Sequence, residues 1–252
     1  MSTRRSARIG RASILLVASL LALPGPATAG PDAQQADTST VSRLNPYGTG
    51  IGLAIALTNS GFGLGGYYQR AVSSRTSIIG ELQIAAGKDE REEKFFSYFG
   101  NSYVPQKANY FLMLPIHVGL QHRLFVDAIE DNFRPFVQVM VGPTIGWEYP
   151  YFQDCDGNGI FEQRSVCEDG EQERQYDSIS AIFRGHSRFG AGGVIALGAH
   201  FGFSKKMTQG VRIGYSVNYF LQRIRLMEPD VPNGQQRFFG TPTISLVFGR
   251  LF

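Results

Sequence analysis

The sequence predicts an all-β fold, an eight-stranded antiparallel up-and-down transmembrane β-barrel. Three observations predict it. Eight segments alternate with a period of two residues, charge is scarce within them, and the connections alternate between short and long after a first tight hairpin.

The chain begins with a segment set apart from this pattern. Arg4, Arg5, Arg8 and Arg11 form a basic start, Ala12 to Leu23 is apolar, and Ala27-Thr28-Ala29 is a small-x-small cleavage site. Residues 1–29 therefore read as a secretory signal peptide. The apolar run of 12 residues is too short for a membrane helix, which needs about 20. Cleavage removes four arginines and no acid, taking the formal charge from +3 to −1. The basic balance thus belongs to the export signal and gives no reason to expect nucleic acid. Residues 30–45 are small and polar and read as a disordered periplasmic leader. The barrel is expected over residues 46–252. Apart from the signal, no apolar run reaches 18 residues, so a membrane crossing falls to strands.

The first segment, Tyr47 to Leu57, puts Ile51, Leu53, Ile55 and Leu57 on one face against glycine and alanine. Thr58-Asn59-Ser60-Gly61 has hairpin composition. The second, Phe62 to Val72, sets Phe62, Leu64 and Tyr68 against Gly63, Gly65, Tyr67 and Gln69. The third, Thr76 to Gly87, sets Ile78, Leu82 and Ile84 against Glu81, Gln83 and Ala85. The fourth, Asn109 to Phe125, opposes Leu112, Leu114, Ile116, Val118 and Leu120 to Met113, Pro115, His117, Gly119 and Gln121. The fifth, Arg134 to Trp147, sets Val137, Val139, Val141 and Ile145 against Gln138, Met140, Gly142 and Thr144. The sixth, Arg188 to Ser204, sets Phe189, Ile195, Leu197 and Phe201 against glycines and His200. The seventh, Val211 to Gln222, sets Ile213, Tyr215, Val217, Tyr219 and Leu221 against Arg212, Gly214, Ser216 and Asn218. The eighth runs to the end of the chain, with Ile244, Leu246, Phe248 and Phe252 on one face. Pro115 and Pro143 lie inside strands, where each removes a ladder donor, so bulges or kinks are expected there.

Alternation also fits a soluble sandwich or barrel. The less apolar face decides. A water-facing sheet would fill it with Lys, Glu and Arg, whereas here Gly, Ala, Ser, Thr, Asn and Gln dominate it. Charges such as Arg70, Arg123, Arg134, Arg188 and Arg212 sit near segment ends, and Glu81 stands in mid-strand. A small membrane barrel requires this inversion, with bulky groups toward lipid and small or polar ones inside. Long outer loops are expected at 88–108, 150–186 and 227–237, and short turns at the periplasmic side. Tyr67, Tyr68, Trp147, Tyr149, Tyr151 and Phe152 are candidates for the aromatic girdles.

Leu114-Pro115-Ile116-His117-Val118-Gly119-Leu120, followed by Arg123-Leu124-Phe125, resembles the fourth strand of the bacterial outer-membrane β-barrel domain family, the small barrels of OmpX and OmpA type. The terminal Phe252 resembles the signal read by barrel-assembly machinery, although Arg250 interrupts the alternation before it. The resemblance implies an outer-membrane location and a lipid environment. It also implies a family of adhesins, structural anchors, small pores and a few lipid-modifying enzymes, so activity is left open.

Glu81, His117, Gln121, Gln138, His200 and Arg212 share the interior parity and are expected to form a polar network that fills the barrel. The sharper alternative is a small gated pore with His117 as the titrating group. In the third outer loop, Asp154-Cys155-Asp156-Gly157-Asn158-Gly159 resembles the start of a calcium loop, with Glu162 at its ninth position. Ser165 stands where the bidentate acid belongs, and Glu168 or Asp169 would have to substitute. No other cofactor is expected. That loop carries eight acids and three arginines. Cys155 and Cys167 bracket the segment and are expected to form a disulfide after export. His186 and Ser187 are adjacent, so a strand turns them to opposite faces, and His122 has no evident nucleophile beside it. The aromatic run Phe95-Phe96-Ser97-Tyr98-Phe99 is a candidate contact for headgroups or an extracellular partner. The expected molecule is a monomeric, non-catalytic barrel with a structural or surface-interaction role; the alternatives are a small gated pore for ions or small solutes and a lipid-modifying outer-membrane enzyme.

Overall fold

The computed structural model describes residues 49–96, 102–126, 132–162, 167, 170, 172–202, 207–232 and 234–252. The expected signal peptide and leader lie outside them.

The strands are β1 (Thr49–Thr58), β2 (Gly61–Ala71), β3 (Thr76–Gly87), β4 (Phe95–Phe96), β5 (Ser102–Tyr103), β6 (Asn109–Arg123), β7 (Phe133–Pro150), β8 (His186–Phe201), β9 (Met207–Arg225) and β10 (Gln235–Leu251). Eight of them close a barrel in the order β1-β10-β9-β8-β7-β6-β3-β2, every neighbouring pair antiparallel. Closure is made by β1 on β10, from Gly50 opposite Leu251 to Thr58 opposite Thr243. It leaves no sheet edge in need of a hydrogen-bond partner. The β1–β2 hairpin turns at Asn59-Ser60, where Gly61 takes φ 124° and the Thr58 hydroxyl donates to the Gly61 carbonyl at 3.0 Å. Only glycine adopts that φ without cost.

Burial follows the expected parity. Ile51, Leu53, Leu64, Leu82, Val118, Val139, Val141, Ile195, Leu197, Ile213, Leu221 and Phe248 face outward and are exposed. Gln69, Glu81, His117, Gln121, Arg134, Gln138, Thr144, His200, Arg212, Asn218 and Ser245 face inward and are buried. Water would reverse this arrangement. Hydrocarbon requires it, because each bulky apolar group outside then leaves water and the polar groups are enclosed away from the acyl chains. Glycines on the inner face permit the tight curvature: at Gly119 an added Cβ would stand 2.6 Å from Met140 Cα.

Several expectations need correction. The register runs unshifted past Pro115 and Pro143. The β3–β6 ladder skips the pairs around Pro115, and the β6–β7 ladder skips those around Pro143. A missing N–H costs a rung, and the barrel absorbs the gap without an extra residue. The register shift falls instead between Gln236 and Phe238, where β10 meets β9. The fourth segment ends at Arg123, because Phe125 has φ 54°, and the sixth ends at Phe201. β7, β9 and β10 run longer than their periodic cores, since their ladders continue past them, as from Arg225 opposite Gln235 to Met207 opposite Arg250. The last outer loop is accordingly shorter than 227–237, because β10 begins at Gln235. The polar stretch 88–108 contains the two-residue β4–β5 ladder, and 150–186 ends in a short helix, α1 (Ser178–Ala181), and a 3-10 turn. Tyr67 points inside, and Tyr149, Tyr151 and Phe152 are covered, so of the girdle candidates Tyr68 is fully outward.

Candidate functional site

Two features stand out: the closed interior and the cap formed by the outer loops.

β3 and β9 lie opposite each other across the closed ring of eight. Glu81 on β3 and Arg212 on β9 therefore meet across the diameter. Arg212 Nη1 donates to Glu81 Oε2 at 2.6 Å and Nη2 to Oε1 at 2.8 Å. The side chains are 4% and 7% exposed. This fork-to-fork pairing is the strongest geometry open to two such groups. Arg212 Nη1 also donates to Gln138 Oε1 at 3.3 Å. His117 stands opposite Glu81 in the ladder and shares a cavity of about 20 Å³ with Glu81 and Arg212, room for one water-sized molecule. Its Nε2 has no hydrogen-bond partner among the described residues. Gln121 and His200 form a separate pair, Nε2 to Nε2 at 3.2 Å, with the His200 ring stacked on Phe136. The six expected residues thus fall into two groups, Glu81–Arg212–Gln138 beside His117, and Gln121–His200. Thr144 donates to Asn218 at 2.8 Å, a further cross-barrel bond that parity alone did not single out.

Toward the outer loops the interior becomes apolar. Phe111, Met113, Phe220, Ile224, Leu226 and Phe239 pack together there, with Phe111 edge-on to Phe220 at 5.2 Å. A polar diametral bridge and an aromatic layer stand in series along the barrel axis.

Above them the outer loops bind one another. The backbone N–H of Ala108 donates to the Leu226 carbonyl, that of Glu228 to the Gln106 carbonyl, and that of Tyr151 to the Ala108 carbonyl. Glu148, 7% exposed, accepts from Asn109, from the Arg225 backbone and from Arg188 at 2.7 Å, so one carboxylate ties four strands. Lys107 forms a buried ion pair with Glu92 and lies 5.0 Å over the Tyr110 ring. Arg91 holds the Asp89 carboxyl below the usual carboxylate range, by hydrogen bonds at 2.8 and 2.9 Å. Burial pushes Glu228 up, against the opposing hydrogen bond that the Phe161 N–H donates to it at 2.9 Å.

The third outer loop has the Cys155–Cys167 disulfide. Asp154 accepts from Gly157 N at 2.8 Å and Gly159 N at 2.9 Å, and Asn158 Oδ1 accepts from Ile160 N at 2.6 Å. The carboxylates of Asp154, Asp156 and Glu173 converge within 4.8 Å. Glu162 is not among them; its backbone N–H donates to Glu173 Oε2 at 2.8 Å. Glu173 was not singled out in the sequence because it lies nineteen residues from Asp154, and only the folding back of the loop brings it near. Ser165, Glu168 and Asp169 lie outside the described residues, as do Ser97, Tyr98 and Phe99. Phe95 and Phe96 are exposed. His122 hydrogen-bonds Thr76 at the short-turn end, and His186 and Ser187 are both exposed on successive positions of β8.

No protein-family model matches the chain, and no curated protein matches it. Among solved structures it is similar to Neisserial surface protein A, at 9% identity and TM-score 0.42, covering 83% of this chain and 99% of that one. It is also similar to the N-terminal β-barrel domain of Pseudomonas aeruginosa OprF, at 8% identity and TM-score 0.36, covering 80% and 96%. A third similarity is to Ail, the attachment invasion locus protein of Yersinia pestis, at 13% identity and TM-score 0.35, covering 81% and 96%. At these identities and scores the likenesses add nothing to what the register and burial of the chain show by themselves: a closed eight-stranded antiparallel barrel, apolar outside and polar within.

Proposed function

We propose that this protein is an outer-membrane barrel with a structural or surface-interaction role, exported by its signal peptide and non-catalytic. One observation carries the reading. The loop ends of the strands are fused into a single hydrogen-bonded cap over an interior that is crossed by the Glu81–Arg212 bridge. A cap held by buried charges and cross-loop backbone bonds presents a fixed surface, which suits recognition by an extracellular partner. Phe95 and Phe96 supply exposed apolar contact area on it.

The rival is a small gated pore, and it demands that both interior layers move. Planar-bilayer recordings of the refolded protein decide between them. We expect no steady conductance from the wild type; long-lived open steps would replace the closed-barrel reading with the pore.

Calcium in the third outer loop is a further proposal, with the donor set changed from the expected one: Asp154 and Asp156 with Glu173 in place of Glu162, while Asn158 Oδ1 accepts from Ile160 N. Titration calorimetry is expected to show heat with calcium that Glu173→Gln abolishes. No heat at millimolar calcium removes the ion from the account.

A further inference from the structure

The register shift between Gln236 and Phe238 has a chemical consequence on the outside of the barrel. Below the shift, β10 turns Phe238, Ile244, Leu246 and Phe248 outward. Above it, Gln235 and Arg237 are the exposed residues, so the irregularity sets Arg237 beside Phe238 on one surface. β9 keeps its parity, passing from the exposed Tyr219 and Leu221 to Arg223 and Arg225. Three guanidinium groups therefore crown an apolar ledge of Tyr219, Leu221 and Phe238.

Arg223, Arg225 and Gln235 also line an open cavity of about 270 Å³, whose remaining wall includes Glu228, Pro229 and Val231. Among the described residues Arg223, Arg225 and Arg237 form no ion pair. The acids nearby are committed or apart. Glu228 is buried and accepts the Phe161 N–H, Glu148 is paired with Arg188, Asp154 holds the backbone of its own loop, and Asp230 is exposed at the tip. An arginine fork matches phosphate oxygens two at a time and is weakly hydrated, so unpaired arginines beside a concavity suit an oxyanion. The apolar ledge below them suits a tail.

We propose that the tip of the β9–β10 hairpin binds the phosphate-bearing headgroup of a lipid, whose acyl chains lie along Tyr219, Leu221 and Phe238. The site rests on the membrane-embedded reading above. The phosphate sits among Arg223, Arg225 and Arg237, at the level where the apolar belt gives way to polar surface.

Native mass spectrometry of the refolded protein, with diphosphoryl lipid A as the probe, tests it. One bound lipid per barrel is expected. Replacing Arg223, Arg225 and Arg237 together by Gln is expected to weaken binding at least tenfold, and Leu221→Ser to weaken it as well. Arg70→Gln with Arg250→Gln, at the opposite end of the barrel, is expected to leave it unchanged. Equal binding by the triple variant, or by a dephosphorylated lipid A, overturns the site. Equal competition from inorganic phosphate or a sulfated polysaccharide, with Leu221→Ser inert, also overturns it in favour of a soluble oxyanion. Heat-modifiable gel migration reports folding of each variant; if the triple variant fails to fold, the single variants Arg223→Gln and Arg237→Gln carry the same comparison. Failure of the wild type to insert into bilayers would instead sink the membrane reading on which the site stands.

Discussion

Glu81→Ala is expected to destabilise the barrel by about 3–5 kcal/mol, seen as an earlier midpoint in urea unfolding of the bilayer-inserted protein. The cost comes from what remains. Without the carboxylate, Arg212 keeps its charge in a site 7% exposed, with one neutral acceptor, Gln138 Oε1, at 3.3 Å. An intact pair offsets its desolvation by two short bonds; a stranded guanidinium does not. The double variant Glu81→Ala with Arg212→Ala is expected to recover part of the loss, because neither charge is then left alone. An unmoved midpoint for Glu81→Ala would reject the bridge as a structural element.

The barrel was legible in the sequence because the property that builds it is local. A strand has period two, so the parity of Ile51 or Val141 is read directly, and the outward face of each strand follows without its pairing. Pairings across the barrel were less legible. Glu81 and Arg212 each had interior parity, but they are 131 residues apart, and only closure of the ring sets β3 opposite β9. Gln121 and His200 share that parity, yet they form a separate pair, because Gln121 stands opposite Ser77, four residues along β3 from Glu81. The cap was not legible at all. Its bonds, such as Phe161 N–H to Glu228, join loops that carry no period, and Glu173 enters the acidic cluster through tertiary folding of its loop. The prolines mark gaps in the ladder and not bulges. Each deletes a donor, but a deleted donor leaves a gap in the ladder without requiring an inserted residue, and the shift near Arg237 has no proline to announce it.

The second large effect is expected on the outside. Val141 lies in the middle of β7, opposite Val118 and Gly193, and is 65% exposed. Arginine there places a charge at mid-depth of the hydrocarbon, which costs about 2–4 kcal/mol. Phe62, beside the β1–β2 turn, is more exposed still at 76%, but it stands at the end of its strand. Arginine at Phe62 is therefore expected to cost about 0–1 kcal/mol, because the side chain reaches the interface. A water-facing sheet would give the opposite pattern, since arginine at an exposed valine then replaces apolar surface with a hydrated charge at no loss.

Urea unfolding of Val141→Arg and Phe62→Arg in the same phospholipid bilayers tests the inverted barrel most directly. The account predicts a large loss of stability at Val141 and little at Phe62. Equal, unmoved midpoints for the two variants, with the wild type remaining dissolved without detergent, would contradict it.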